Sequence, residues 1–241
     1  ILNKKNYNSI IFGKPGNGSL IEYATFREYV TPLKPKVVIW LIYENDFMDL
    51  NEEINIPILK RYLTDNNFSQ NLIYKQNEID KAYKDFLDNI SSKDRNTETK
   101  KIKNENSFLK YINRIYKLYN IRVRLDLKPK PKQDNKVNDI FKLIIQNSKK
   151  AVFNWSGSFY LVYLPSYSHF VRNNNSLYIQ LQKIVDELDV NFIDIFKIIQ
   201  NEKIDPLNFY PFRVNGHYNR QGYRYVADQI SKRVVEDNVF F

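Results

Sequence analysis

One run of apolar residues limits the folds open to this chain more than any other feature. It is Val37-Val38-Ile39-Trp40-Leu41-Ile42-Tyr43, and no polar residue interrupts it. A strand with one solvent-exposed face alternates apolar and polar residues. An unbroken run rich in β-branched residues therefore predicts a central parallel strand buried on both faces. Parallel neighbours need crossover connections, which are usually helices. The run therefore predicts an α/β fold.

Apolar periodicity on either side of this run predicts the remaining elements of the sheet. Strands are predicted at Ser9–Phe12, Phe159–Leu164 and Val190–Ile195, and helices at Leu20–Leu33, Leu177–Leu188 and Tyr223–Val234. The predicted class is α/β with a largely parallel sheet, and such sheets bind ligands at the carboxyl ends of their strands.

The stretch from about residue 50 to 150 differs from the rest because it is polar and rich in Lys and Asn. Helical spacing recurs at Phe108–Tyr119 and at Val137–Ile144, and Lys128–Lys132 between them reads as an extended linker. We therefore predict a single domain over residues 1–241, in which about 50–150 form a mostly helical insertion.

Composition excludes several classes of function. A chain of 241 residues with 43% hydrophobic residues supports one substantial core, and the absence of cysteine excludes disulfides and thiolate metal sites. The net charge of +10 is spread along the chain and mixed with acids, which favours a solvated surface over a nucleic-acid partner. No apolar run is long enough to span a bilayer. A cytosolic and a periplasmic location both stay open.

A glycine-rich segment, Gly13–Ser19, follows one predicted strand and opens the next helix; we call it the Gly turn. Its glycines permit positive φ and close approach of the backbone, and the amides at the helix start can hold an anion. The segment lacks the Gly-Lys-Ser/Thr ending of a phosphate-binding P-loop. The alternative is a tight turn with a purely structural role.

Glu44-Asn45-Asp46, the Asn loop, comes directly after the apolar run. An α/β sheet presents functional side chains at this position, and an Asn amide there can donate a hydrogen bond to a developing oxyanion. The alternative is that Asn45 or Asp46 caps a local turn or helix.

The chain contains two histidines, and His217 lies in the segment Gly216–Gly222, which we call the His loop, just ahead of the last predicted helix. An imidazole titrates near neutral pH and can act as a general base. The alternative is a surface histidine beside Asn219 as the helix cap. His169 follows another strand; it could line the site, but we expect a partly exposed loop residue. Two histidines without supporting carboxylates do not predict a zinc site.

Together the Gly turn, the Asn loop and the His loop resemble the Gly, Asn and His blocks of the SGNH (GDSL-like) hydrolases. Members of this family are serine esterases, lipases and carbohydrate deacetylases. The resemblance covers residues 7–50 and 155–235 and implies a flavodoxin-like three-layer α/β/α sandwich with a mainly parallel sheet. It also implies roles: the Gly16 N–H and the Asn45 amide would form the oxyanion hole, and His217 would be the base. It implies no cofactor.

The sequence departs from the family pattern in two places. The Gly-Asp-Ser block should precede the Gly block, but neither Ser9 nor Ser19 matches it, so we expect the chain to be a fragment that lacks the nucleophilic serine and its central strand. Any export signal or anchor would also lie upstream of Ile1. The aspartate expected three residues before His217 is Val214, and Asp205 is distant. A backbone carbonyl or Asn215 would orient the imidazole instead.

The resemblance predicts an ester hydrolase or acyl transferase acting on an O-acyl substrate, such as an acylated glycan or lipid. The alternative is a catalytically inactive carbohydrate-binding domain on the same fold, in which tyrosines stack on sugar rings. A basic nucleic-acid binder is a third and weaker hypothesis, based on the net charge and on residues 128–136. Substrate identity and oligomeric state are not predicted.

Overall fold

Three parallel strands, β1 (Val37–Ile42), β2 (Ser158–Tyr163) and β3 (Asn191–Asp194), pair in the order β1-β2-β3. They belong to a computed structural model that describes residues 8–14, 16–101, 135–172, 176–214 and 216–237. Val37 is opposite Ser158 and Ile42 is opposite Tyr163, while Tyr163 is also opposite Asp194. The carboxyl ends of all three strands therefore meet at one edge of the sheet.

Ten α-helices lie within the described residues. They are α1 (Ser19–Thr25), α2 (Thr31–Leu33), α3 (Asp46–Glu53), α4 (Pro57–Thr64), α5 (Gln76–Lys101), α6 (Asn135–Asn154), α7 (Tyr167–Arg172), α8 (Ser176–Leu188), α9 (Ile195–Asn201) and α10 (Arg220–Glu236). A π-helical segment, Phe26–Val30, joins α1 to α2, and short 3₁₀ turns occur at Leu72–Tyr74, Pro206–Phe209 and Pro211–Arg213. The α/β class predicted from the sequence is confirmed.

Strand β2 is the best-buried strand because its side chains alternate between two apolar clusters. Phe159 and Leu161 pack with residues of α1, α3, α6 and α8, whereas Tyr160 and Val162 pack with residues of β3, α9 and α10. Alternate strand residues point to opposite faces, so helices contribute apolar side chains to both faces of the sheet.

The prediction that Val37–Tyr43 forms a central strand buried on both faces is wrong. Among the described residues β1 pairs with β2 alone, so it is an edge strand of the described sheet. Leu41 is 45% exposed, and Val37, Val38 and Ile39 are only half-buried. The strand itself was predicted correctly from its β-branched residues. The burial of the strand was not predicted correctly, because burial on both faces depends on elements elsewhere in the chain, which the apolar run itself does not specify.

The strand predicted at Ser9–Phe12 does not form, because residues 8–14 have no regular secondary structure. Ile10 and Ile11 are 66% and 88% exposed, although Phe12 stacks on Tyr29. A strand needs a partner for its backbone hydrogen bonds, and no described strand pairs with this segment.

The chain divides into two compact units, one comprising Ile1–Gln70 with Asp134–Phe241 and the other Asn71–Gln133. Helices α3, α4 and α6 fall in the first unit, so the second unit is shorter than the insertion predicted at about 50–150. The described part of the second unit is largely helical, with α5 as its main element. The helix predicted at Phe108–Tyr119 and the linker at Lys128–Lys132 lie outside the described residues. None of the described helices is both long and apolar enough to cross a bilayer.

Candidate active site

The Asn loop begins where β1 ends and leads directly into α3. The Asp46 carboxylate accepts a hydrogen bond from the Tyr43 N–H at 2.8 Å, so Asp46 closes the turn that follows the strand. Asn45 occupies the N-cap position of α3, but its side chain makes no capping hydrogen bond. Instead its amide Nδ2 donates to Asp49 Oδ2 at 2.7 Å. An amide nitrogen carries two hydrogens, so Asp49 fixes this side chain and leaves a second donor.

The Gly turn packs its helix start against α3. The Gly18 N–H donates to Glu53 Oε1 at 2.5 Å, and the Leu20 and Ile21 N–H groups donate to Glu53 Oε2. The amides at this helix start, which we predicted can hold an anion, therefore bind a carboxylate of the chain itself. Burial raises the pKa of Glu53, although the three backbone donors oppose this shift.

Two glycines of the Gly turn have different structural roles. Gly16 is exposed and has φ of 82°, a left-handed value that glycine adopts without strain. Gly18 is buried, and a Cβ built on it would lie 2.7 Å from Asp49 Cβ. Because Asp49 also binds Asn45, the Gly turn and the Asn loop share a neighbour.

The His loop is attached to the carboxyl end of β2 by a tyrosine rather than by its histidine. The hydroxyl groups of Tyr218 and Tyr210 both donate to the Pro165 carbonyl, at 2.6 and 2.9 Å. Asn219 caps α10 by accepting from the Gly222 N–H at 2.9 Å, as the structural alternative predicted. His217 itself is exposed, and its imidazole has no hydrogen-bond partner among the residues that the structure describes.

Two described positions were considered for a carboxylate that would orient His217, namely Val214 and Asp205. Neither of them supplies one. Val214 is exposed, and Asp205 pairs with Arg213 at 2.7 Å. The Arg213 guanidinium also donates to Asn208, which holds this arginine over the preceding 3₁₀ turn. Asn215, the other residue considered, lies outside the described residues.

Tyr43 brings the Asn loop close to the His loop. Burial raises the pKa of Tyr43 to about 12, and the charges of Glu44, Tyr223 and Asp46 add to this shift. Tyr43 in turn contributes to the raised pKa of Tyr218, behind burial and the effects of Tyr210. These mutual effects indicate that Tyr43, just ahead of the Asn loop, lies near Tyr218 of the His loop. No hydrogen bond among the described residues joins His217 to Asn45.

His169 differs most from expectation, because it is buried in α7 rather than exposed on a loop. Its Nδ1 lies 2.6 Å from the Tyr163 hydroxyl and 3.5 Å from Glu44 Oε1. Ser166 and Ser168 donate to Glu44 Oε2 at 2.6 and 3.2 Å. The signal for this network was available, since Glu44 and Ser166 each follow one of two adjacent parallel strands.

The Glu44 carboxylate stays ionised within this network. Burial would raise the pKa of Glu44, but hydrogen bonds from His169, Ser166 and Ser168 bring the pKa below its ordinary value. A second group of acids lies near α3, where burial and like charges raise the pKa of Glu22 to about 8 and that of Asp46 to about 7. No group of three or more His, Cys, Asp or Glu side chains in the described ranges is arranged to hold a metal ion.

Comparison with protein-family models, with curated proteins and with solved structures found no match to this chain.

Proposed function

We propose that this chain carries the oxyanion hole and the general base of an SGNH-type ester hydrolase or acyl transferase that acts on an O-acyl substrate. Its fold would be a three-layer α/β/α sandwich. The Gly16 N–H and the second hydrogen of Asn45 Nδ2 would bind the oxyanion. His217 would take the proton of a serine hydroxyl and pass it to the leaving alcohol.

The observation that carries this proposal is that the Asn loop follows β1 and the His loop is bonded to the segment after β2, both at the carboxyl edge of a parallel sheet. The Gly turn and the Asn loop contact each other through Asp49, and the His loop is tied to Pro165 through Tyr218. Ligands of open α/β sheets bind at this edge. The Asn45 amide is held by one hydrogen and makes no second hydrogen bond to the residues that the structure describes, so it would be a preorganised donor, the kind of group that contributes about 3 kcal/mol to acyl transfer.

The serines of the described site are poorly suited to be the nucleophile. Ser19 is fully buried, and Ser166 and Ser168 donate to the Glu44 carboxylate. We therefore propose that the nucleophile is a serine other than these three.

Hydrolysis of p-nitrophenyl acetate by the protein at full length, including any residues that its gene encodes before Ile1, tests the proposal. We expect turnover that falls about 100-fold or more in Asn45→Ala and in His217→Ala, as for the loss of an oxyanion donor or a base. Lys232→Ala is a matched surface control and should retain activity. A folded wild type without turnover, or variants as active as the wild type, would refute the proposed function.

The second candidate is an inactive carbohydrate-binding domain, which the missing carboxylate at His217 and two exposed rings favour. Tyr223 is 57% exposed in the first turn of α10, and Phe212 is 96% exposed. Aromatic rings of this kind stack on sugars. Titration of the same protein with acetylated oligosaccharides, followed by NMR, separates the candidates: binding without hydrolysis favours the second, and hydrolysis excludes it.

A further inference from the structure

Four groups from one short segment surround the carboxylate of Glu44. Ser166 and Ser168 donate to Oε2, while the Tyr163 hydroxyl lies 3.4 Å and His169 Nδ1 3.5 Å from Oε1. All four residues follow or end β2, whereas Glu44 follows β1. The network therefore joins the carboxyl ends of two neighbouring strands through side chains.

In this network, His169 has a ring that is fully buried among aromatic side chains. Its side chain is 0% exposed, and its ring lies 4.0 Å from the Phe196 ring and 5.1 Å from the Tyr178 ring, centroid to centroid. Nε2 is buried and has no hydrogen-bond partner among the residues that the structure describes. A buried N–H without an acceptor costs more than a bare ring nitrogen, so the proton is assigned to Nδ1.

With the proton on Nδ1, the hydrogen bonds that run from His169 through Tyr163 to Glu44 all donate in the same direction. Nδ1–H donates to the Tyr163 oxygen at 2.6 Å, and the Tyr163 hydroxyl then donates to Glu44 Oε1 at 3.4 Å. Each hydrogen bond polarises the next, and a buried chain of this kind fixes the orientation of its last acceptor. Glu44 is that acceptor, and it is bonded directly to Asn45 in the sequence.

We propose that Glu44 and His169 are positioning residues that hold Asn45 in the orientation an oxyanion hole requires. This inference rests on the proposed function. The backbone of Asn45 is anchored on one side by the Glu44 network, and its side chain is anchored on the other by Asp49. A displacement of about 1 Å at such a donor costs up to about 100-fold in rate, so two anchors have a functional consequence.

The test uses the full-length protein and four variants. Glu44→Gln removes the charge with little change of shape, and His169→Phe keeps an aromatic ring but removes the Nδ1 donor. His169→Asn returns a donor near the Nδ1 position. Tyr178→Phe is the matched control, because it removes a buried hydroxyl that binds Asp194 at 2.6 Å, beside His169 but outside the network.

Two readouts are measured for each variant. The first is the NMR signal pair of the Asn45 side-chain amide, assigned by its loss in Asn45→Asp. The second is kcat and KM for p-nitrophenyl acetate. We expect Glu44→Gln and His169→Phe to shift the Asn45 signals and to lower kcat about 10-fold or more with KM little changed. His169→Asn should recover part of kcat, and Tyr178→Phe should change neither readout.

The positioning role and the proposed function are refuted by different results. Unchanged Asn45 signals in both Glu44→Gln and His169→Phe would overturn the positioning role, whatever the activity. Shifted signals with unchanged kcat would overturn it as well, and the proposed function would stand. Shifted signals in a protein whose wild type has no turnover would support the coupling of Glu44 to Asn45 but refute the proposed function.

Discussion

Glu22 shows how strongly single side chains in this chain depend on their surroundings. Its carboxylate accepts from the Trp40 indole N–H at 2.7 Å, within reach of the charges of Asp46 and Glu53. Burial, then the Asp46 charge, raise its pKa from the ordinary 4.5 to about 8, although the Trp40 hydrogen bond lowers it. The folded chain thus binds a proton that the unfolded chain has released between these values, and stability falls as pH rises through this window.

Glu22→Gln should therefore stabilise the protein in a pH-dependent way. The amide keeps an acceptor for Trp40 but has no charge to bury, so we expect about 1–3 kcal/mol more stability at pH 8 and little change at pH 5. Urea denaturation at both pH values measures this difference. The exposed Glu52→Gln is the control and should change stability by less than about 0.5 kcal/mol. An equal gain from Glu22→Gln at both pH values would contradict the explanation.

A second prediction at the residue scale concerns Gly18. A Cβ there would meet Asp49 Cβ at 2.7 Å and Glu53 Cδ at 2.8 Å, so Gly18→Ala must push α3 away from the Gly turn. We expect a loss of about 1–3 kcal/mol in thermal or urea denaturation. Gly13→Ala is the control, because nothing lies within 4 Å of its Cβ position. A similar effect of both substitutions would show that close packing is not the reason.

At the scale of elements, helix periodicity was the most reliable signal. The apolar stripes at Leu20–Leu33, Leu177–Leu188 and Tyr223–Val234 all lie in helices. A helix that buries one face requires apolar residues at every third or fourth position, and this spacing is visible in the sequence. Strands β2 and β3 were predicted from their short runs of apolar residues, Phe159–Leu164 and Val190–Ile195. The strand at Ser9–Phe12 failed because a strand depends on a partner elsewhere in the protein.

The last helix offers a direct test of how an element supports the site. Asn219 accepts from the Gly222 N–H and donates through Nδ2 to the Asn208 carbonyl at 2.8 Å, so it holds the start of α10 to the preceding turn. Asn219→Ala should cost about 1 kcal/mol of stability, whereas Asn219→Asp should keep the capping acceptor and lose less. Urea denaturation of both variants measures this. Equal losses would show that the cap is not the stabilising contact.

At the scale of the whole molecule, the sequence predicted the order of the site segments better than their side-chain contacts. The Asn loop and the His loop were assigned from local patterns; the first follows the carboxyl end of β1, and the second is bonded through Tyr218 to Pro165, which follows β2. The burial of His169 was not predictable, because Tyr178 and Phe196 reach it from distant helices. The edge position of β1 was not predictable either, since it depends on which strands are present.

The proposal that this edge of the sheet is the acyl-transfer site of a serine esterase is tested most directly by a fluorophosphonate probe. Such probes phosphonylate a serine only when a base and an oxyanion hole activate its hydroxyl. With the full-length protein, mass spectrometry should find one adduct, on a single serine, and His217→Ala and Asn45→Ala should abolish it. No adduct on the folded protein, or an adduct that persists in both variants, would contradict the proposal.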